Sequence, residues 1–152
     1  MLEILDHYDD HEVSVRTHLI TLSNHRQAWD VSLGLFALAG EDAKMAFDFI
    51  TFLYANQDRY YNDQFLHKTH NDLIELVADL AVEFAEVERD SFIAEMRSSG
   101  VYLAGRTQIR YAATRAVWAT PTLFINNADD VPVNHESDLA AWRAVLDPLL
   151  GK

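Results

Sequence analysis

The sequence predicts an α/β fold in which most residues are helical. Three observations carry that class. Residues 12–22, Glu-Val-Ser-Val-Arg-Thr-His-Leu-Ile-Thr-Leu, put Val13, Val15, Thr17 and Leu19 on one face and are rich in β-branched residues, as a strand is. Residues 26–116 hold a succession of stretches with apolar side chains at helical spacing. Residues 120–133 place two short apolar runs about a polar turn, the pattern of a hairpin, before a last amphipathic stretch.

In chain order, residues 2–8 read as the end of a helix, with Leu2 and Leu5 three apart, and 12–22 as the first strand. Residues 26–39 carry Trp29, Leu33, Phe36 and Ala37 at helical spacing, and Gly40 can end that helix. Residues 42–55 repeat the pattern with Met45, Phe49, Phe52 and Leu53, and a loop rich in Asp, Asn and Tyr follows. The strongest amphipathic helix is 70–87. Leu73, Leu76, Val77, Leu80, Phe84 and Val87 form its apolar stripe, and Asp72, Glu75, Asp79, Glu83 and Glu86 fill the rest. A short helix over 91–98 takes Asp90 as its N-cap and buries Phe92, Ile93 and Met96. Gly100 separates it from a helix over about 102–116. A strand over 120–126 is entered through Pro121. Asn127 to Asp130 turn the chain, Val131-Pro132-Val133 return it, and Ser137 caps a last helix with Leu139, Trp142, Val145, Leu146 and Leu149 facing inward.

The chain has 152 residues, and no repeat or Pro/Gly/Ser-rich linker divides it, so a single domain over 1–152 is expected. Apolar residues make up 49% and charged residues 24%, ordinary values for a folded domain. No apolar stretch is long enough to span a membrane, and Met1-Leu2-Glu3-Ile4-Leu5-Asp6 lacks the build of a signal peptide, so the cytoplasm is the expected compartment. The formal net charge of −12 disfavours nucleic acid and anionic membrane as partners. With no cysteine, thiol catalysis, disulfides and thiolate metal sites are excluded within this chain.

Proline is out of place in a central strand, yet Pro121 opens an apolar run. The stretch Val117-Trp118-Ala119-Thr120-Pro121-Thr122-Leu123-Phe124-Ile125-Asn126 resembles the proline loop of the DsbA-like thioredoxin-fold disulfide oxidoreductases. Val131-Pro132-Val133 and Asp147-Pro148-Leu149-Leu150 resemble the second hairpin strand and the helix end that come after that loop in the family. Upstream, Asn24-His25, Ala28-Trp29, Phe47-Asp48-Phe49 and Leu53 to Gln57 resemble parts of its helical insert, so the likeness covers nearly the whole chain. The resemblance implies a thioredoxin-like fold with a helical insert over about 26–98 and a cis peptide before Pro121. It also implies a substrate-binding surface of Thr120, Pro121 and Trp118, with an extended peptide or protein pairing along the backbone of Thr120. It implies no cofactor.

The chain departs from the family at its start, where the first strand and the Cys-x-x-Cys motif have no counterpart. The expected fold therefore lacks the usual N-terminal strand. Its sheet edges are left to a truncated segment, a partner's strand, a homodimer or direct closure. Ala116 and Ala119 stand where glycines are usual. The implied function is that of a relative of thiol–disulfide oxidoreductases made redox-inactive by the absence of cysteine. The alternative is a noncatalytic module binding peptides or a partner through the Pro121 loop and the sheet edges.

Other groupings read as surface features. His67 and His70, and His7 and His11, have the spacing of metal-ligand pairs but no third ligand, so no metal site is expected. Asp6, Asp9, Asp10 and Glu12 lack the spacing of a calcium loop. Arg97, Arg106, Arg110 and Arg115 lie in a stretch, 96–128, without an acid. Their expected partners are the acids of 72–95.

Overall fold

Every regular element among the described residues is a helix. The computed structural model describes residues 2–129 and 131–152, and they hold seven α-helices and no β-strand. These are α1 (Leu2–His7), α2 (Ala28–Ala39), α3 (Ala43–Ala55), α4 (His70–Ala85), α5 (Arg89–Met96), α6 (Ser99–Thr114) and α7 (Leu139–Leu149). The α/β class is thereby corrected to all-α, and the thioredoxin-like fold falls with it, since that fold is organised around a sheet.

The physical reason lies in where the two kinds of structure find their hydrogen bonds. A helix satisfies its backbone within its own segment, whereas every ladder bond of a strand needs a second strand. Residues 13–22 have no such partner and run without regular structure. Of the expected common face, Val13, Val15 and Leu19 are half-buried and Thr17 is exposed, so none of the four is fully buried. The expected hairpin shrinks to one pair, Ile125 and Ala128, whose amides and carbonyls exchange two 2.9 Å hydrogen bonds. Between them Asn126 and Asn127 take φ values of 49° and 71°, the left-handed pair that a tight hairpin turn requires. Asp130, placed in that turn by the sequence, lies outside the described residues.

Helix starts follow capping chemistry, with three changes of residue. Asp42 accepts from the Met45 amide, and Thr69 and Asp72 form a reciprocal capping box on α4. Glu88, rather than Asp90, caps α5. Its longer side chain folds back to accept from the amides of Asp90 and Ser91. Ser98 caps α6 one residue before that helix begins, so Gly100 sits inside the helix and does not separate it from α5. Asp138 caps α7, while the Ser137 hydroxyl accepts from the Asn134 amide instead.

The described residues form two compact units, Met1–His18 with Val117–Lys152, and Leu19–Ala116. In the second unit α2 packs against α3, α4, α5 and α6. Its sequence, Ala-Trp-Asp-Val-Ser-Leu-Gly-Leu-Phe-Ala-Leu-Ala, is apolar nearly all round, as a helix at the centre must be. At Gly34 the α2 backbone lies against the Val77 side chain of α4, in the space a Cβ would occupy. Leu33, Leu35, Phe49, Val77, Leu80 and Phe92 are among the buried side chains of the core this creates. The stripe expected on α4 holds: Leu73, Val77 and Leu80 are buried, while Glu75, Asp79 and Glu83 are exposed.

The first unit has a smaller core of Ile4, Tyr8 and Leu146. The Tyr8 hydroxyl donates to Asp147 Oδ1 at 2.7 Å, and Lys152 Nζ lies 2.7 Å from Glu12 Oε1. Burial, with the Asp147 bond added, pushes the Tyr8 phenol up to about 12. The same bond, with Arg143 nearby, holds the Asp147 carboxyl below the usual range. Tyr8 thus contributes stability in full below its unfolded pKa of about 10, lost only as pH rises through its folded value. Asp147 contributes above an unfolded pKa of about 3.9 and loses that contribution as pH falls. Tyr8→Phe is accordingly expected to lower the urea midpoint of this unit near neutral pH. The loss shrinks as pH falls through the carboxylate range, and Trp142 fluorescence can report it.

No helix among the described residues is long and apolar enough to cross a membrane.

Candidate functional site

The second unit carries a half-open pocket of about 250 Å³ among α2, α4, α5 and α6. Three helices begin at it, and each presents a pair of side chains four apart, hence on one face. From α2 come Trp29 and Leu33, with Asp30 beside them, and from α4 come His70 and Ile74. Ser98 and Tyr102 come from the start of α6, and Met96 and Arg97 from the end of α5. Leu33, Ile74 and Met96 supply the apolar lining. Trp29 and Tyr102 meet edge to face, their centroids 5.8 Å apart at 78°. The indole lies against α6 at Gly105, where a Cβ would stand 3.2 Å from Trp29 Cη2.

Asp30 is the chemically distinctive member. It is only 7% exposed, and its Oδ2 lies 3.3 Å from Nδ1 of His70. Burial raises its carboxyl above the usual range, and the neighbouring His70 offsets part of that rise. Its place in the first turn of α2 adds the favourable end of that helix dipole. Arg97 is exposed at the rim and donates to Asn71 Oδ1 at 3.4 Å. The pocket thus offers one buried acid, an imidazole, an exposed guanidinium and two aromatic rings in a small space of mixed polarity.

The residues assigned to substrate binding from the sequence lie elsewhere. Trp118, Thr120 and Pro121 are exposed in an irregular segment of the first unit, Trp118 to 86%, and none of them lines the cavity. The Thr120–Pro121 peptide is cis, and the Thr122 hydroxyl donates to the Ala119 carbonyl at 2.7 Å. Pairing of an extended substrate as an added strand is withdrawn, because no sheet is present among the described residues to receive one.

Of the histidine pairs, His70 reaches the cavity and His67 stays exposed in the preceding loop. His7 packs edge-on against Tyr8. Among the described residues no group of three or more potential ligand side chains could hold a metal ion. The acids of α4 pair with arginines outside 96–128: Glu83 with Arg59 at 2.8 Å, and Asp79 with Arg89 at 2.7 Å.

Sequence reasoning passed over Asp30, although a signal was there. It is the only charged residue among the twelve of α2. A lone acid inside an apolar helix must either face solvent or be held in the core by something.

No known protein family, characterised protein or solved structure matches this chain.

Proposed function

We propose that the chain binds a small organic molecule in the cavity of its second unit, with Asp30 as the polar anchor. One observation carries this reading: a carboxylate buried against its own solvation preference lines a pocket walled by Trp29, Leu33, Ile74 and Met96. A position serving the fold alone is more stably filled by an apolar residue, so an acid there speaks for recognition. The aromatic wall and the volume, below the roughly 300–1,000 Å³ usual for such sites, suit only a very compact ligand. Thiol–disulfide exchange is set aside, since the chain has no cysteine and its described residues form no sheet. A net charge of −12 makes polyanions poor partners, and none is proposed.

Asp30→Asn is expected to raise the melting temperature near neutral pH. A carboxyl whose folded pKa is raised gives its full stability below the unfolded value and loses it as pH rises through the folded value. The ionised acid therefore costs stability at neutral pH that an amide of the same shape does not. The gain is expected to vanish near about pH 3, where the acid is protonated in either state. Calorimetry across this range checks it.

The binding reading is tested by screening small organic compounds against the chain labelled with ¹⁵N at its three tryptophan indoles. Binders are expected to move the Trp29 signal, assigned through Trp29→Phe, and to lose affinity in Ile74→Phe, which fills the cavity. Binders that leave Trp29 unmoved, or that bind Ile74→Phe equally well, would sink the proposal.

A further inference from the structure

We infer that the ligand of this cavity is a small primary or secondary amine with a compact apolar body, its ammonium group held by Asp30. This rests on the binding reading above and adds the chemical class.

A carboxylate offers about four lone-pair sites. The contact with His70 engages Oδ2, so Asp30 keeps acceptor capacity for a second donor. Asp30 is the one acid in this lining and is nearly out of solvent, so a cation placed beside it gains a charge contact that an anion does not. Trp29 and Tyr102 line the same pocket, and an aromatic face turned to the ligand would add to the attraction for its ammonium ion. Leu33 lies one turn along α2 from Trp29 and belongs to the apolar lining that receives the hydrocarbon body.

Arg97 is the competing argument for an anionic ligand. It stands exposed at the rim and already donates to Asn71, whereas Asp30 is nearly out of solvent. A charge contact formed away from water counts for more than one formed at a wet edge, so Asp30 decides the class.

Three probes with the same phenylethyl skeleton test this: phenethylamine, 2-phenylethanol and 3-phenylpropionate, titrated at neutral pH with the Trp29 indole signal as readout. The amine is expected to bind about tenfold or more tightly than the alcohol, the ratio for one charge-assisted hydrogen bond. The acid is expected to bind more weakly than the alcohol. In Asp30→Asn the amine is expected to lose its advantage over the alcohol.

The inference is overturned if the acid equals or exceeds the amine, or if the amine keeps its advantage without the carboxylate. Binding by the alcohol and the acid with no preference for the amine removes the class and leaves the cavity reading standing. Silence from all three removes both. If Asp30→Asn does not fold, the ranking of the three probes on the unaltered chain decides alone.

Discussion

Phe49→Ala is expected to remove about 3–5 kcal/mol of the stability of the second unit, the cost of truncating a fully buried aromatic side chain. Phe49 is 0% exposed on α3, with its ring centroid 6.1 Å from that of Phe52 and 5.1 Å from that of Phe84. Its removal deletes the transfer free energy of the ring and leaves a void that two further aromatics can close only by moving. A domain typically holds about 5–15 kcal/mol in total, so this one change takes a large share. Urea unfolding followed by circular dichroism measures it. Phe49→Leu keeps most of the volume and is expected to lose less than about 1.5 kcal/mol. Equal losses in the two variants would mean that the ring is loosely packed, contrary to its close contacts with Phe52 and Phe84.

Gly34→Ala is expected to destabilise the same unit by about 1–2 kcal/mol, although alanine is the better helix former. Two effects oppose each other at this position. Exchanging glycine for alanine within a helix gains about 0.5–1 kcal/mol. The new methyl, however, enters space held by Val77 Cγ1, and overpacking a core costs about 1–3 kcal/mol. Val77 is 0% exposed and β-branched, so its side chain cannot swing aside, and the steric effect wins. The mechanism has its own signature in a double-mutant cycle. Val77→Ala destabilises alone, but paired with Gly34→Ala it is expected to lose less than the sum, with a coupling of at least about 0.5 kcal/mol. Simple additivity would place the loss somewhere other than this contact.

These residues also mark what can be read from the sequence. The helix over 70–87 was legible because its stripe and its charged face lie within a few residues of one another, whereas the Thr69 cap came only with the structure. Gly40, with a φ of 52°, ends α2 at the point its position in the sequence suggests. The strand over 12–22 was misread because alternation describes a face, and a face becomes a strand only against a neighbour. Val13 joins the core of one unit and Leu19 that of the other, so no single surface ever collects them. The Thr120-Pro121-Thr122 segment misled in another way. Its local geometry includes the implied cis bond, but a local geometry does not bring a sheet with it. The cavity was hidden for the same reason of distance. Asp30 gains its meaning from His70, Arg97 and Tyr102, which come far later in the chain, on or beside three other helices.

The division of the chain into one continuous unit and one interrupted unit sets an order of events during synthesis. Leu19–Ala116 is complete once its own residues have left the ribosome, and the helices that pack around α2 can assemble while the remainder is still being made. The other unit must wait. Its Tyr8–Asp147 hydrogen bond joins residues 139 positions apart, so Ile4 and Tyr8 stay unburied until α7 emerges. For that interval Ile4 and Tyr8 lack the α7 side chain that completes their core. A stalled chain ending before residue 139 is expected to yield a protease-resistant core over 19–116 with the first 18 residues still open to cleavage.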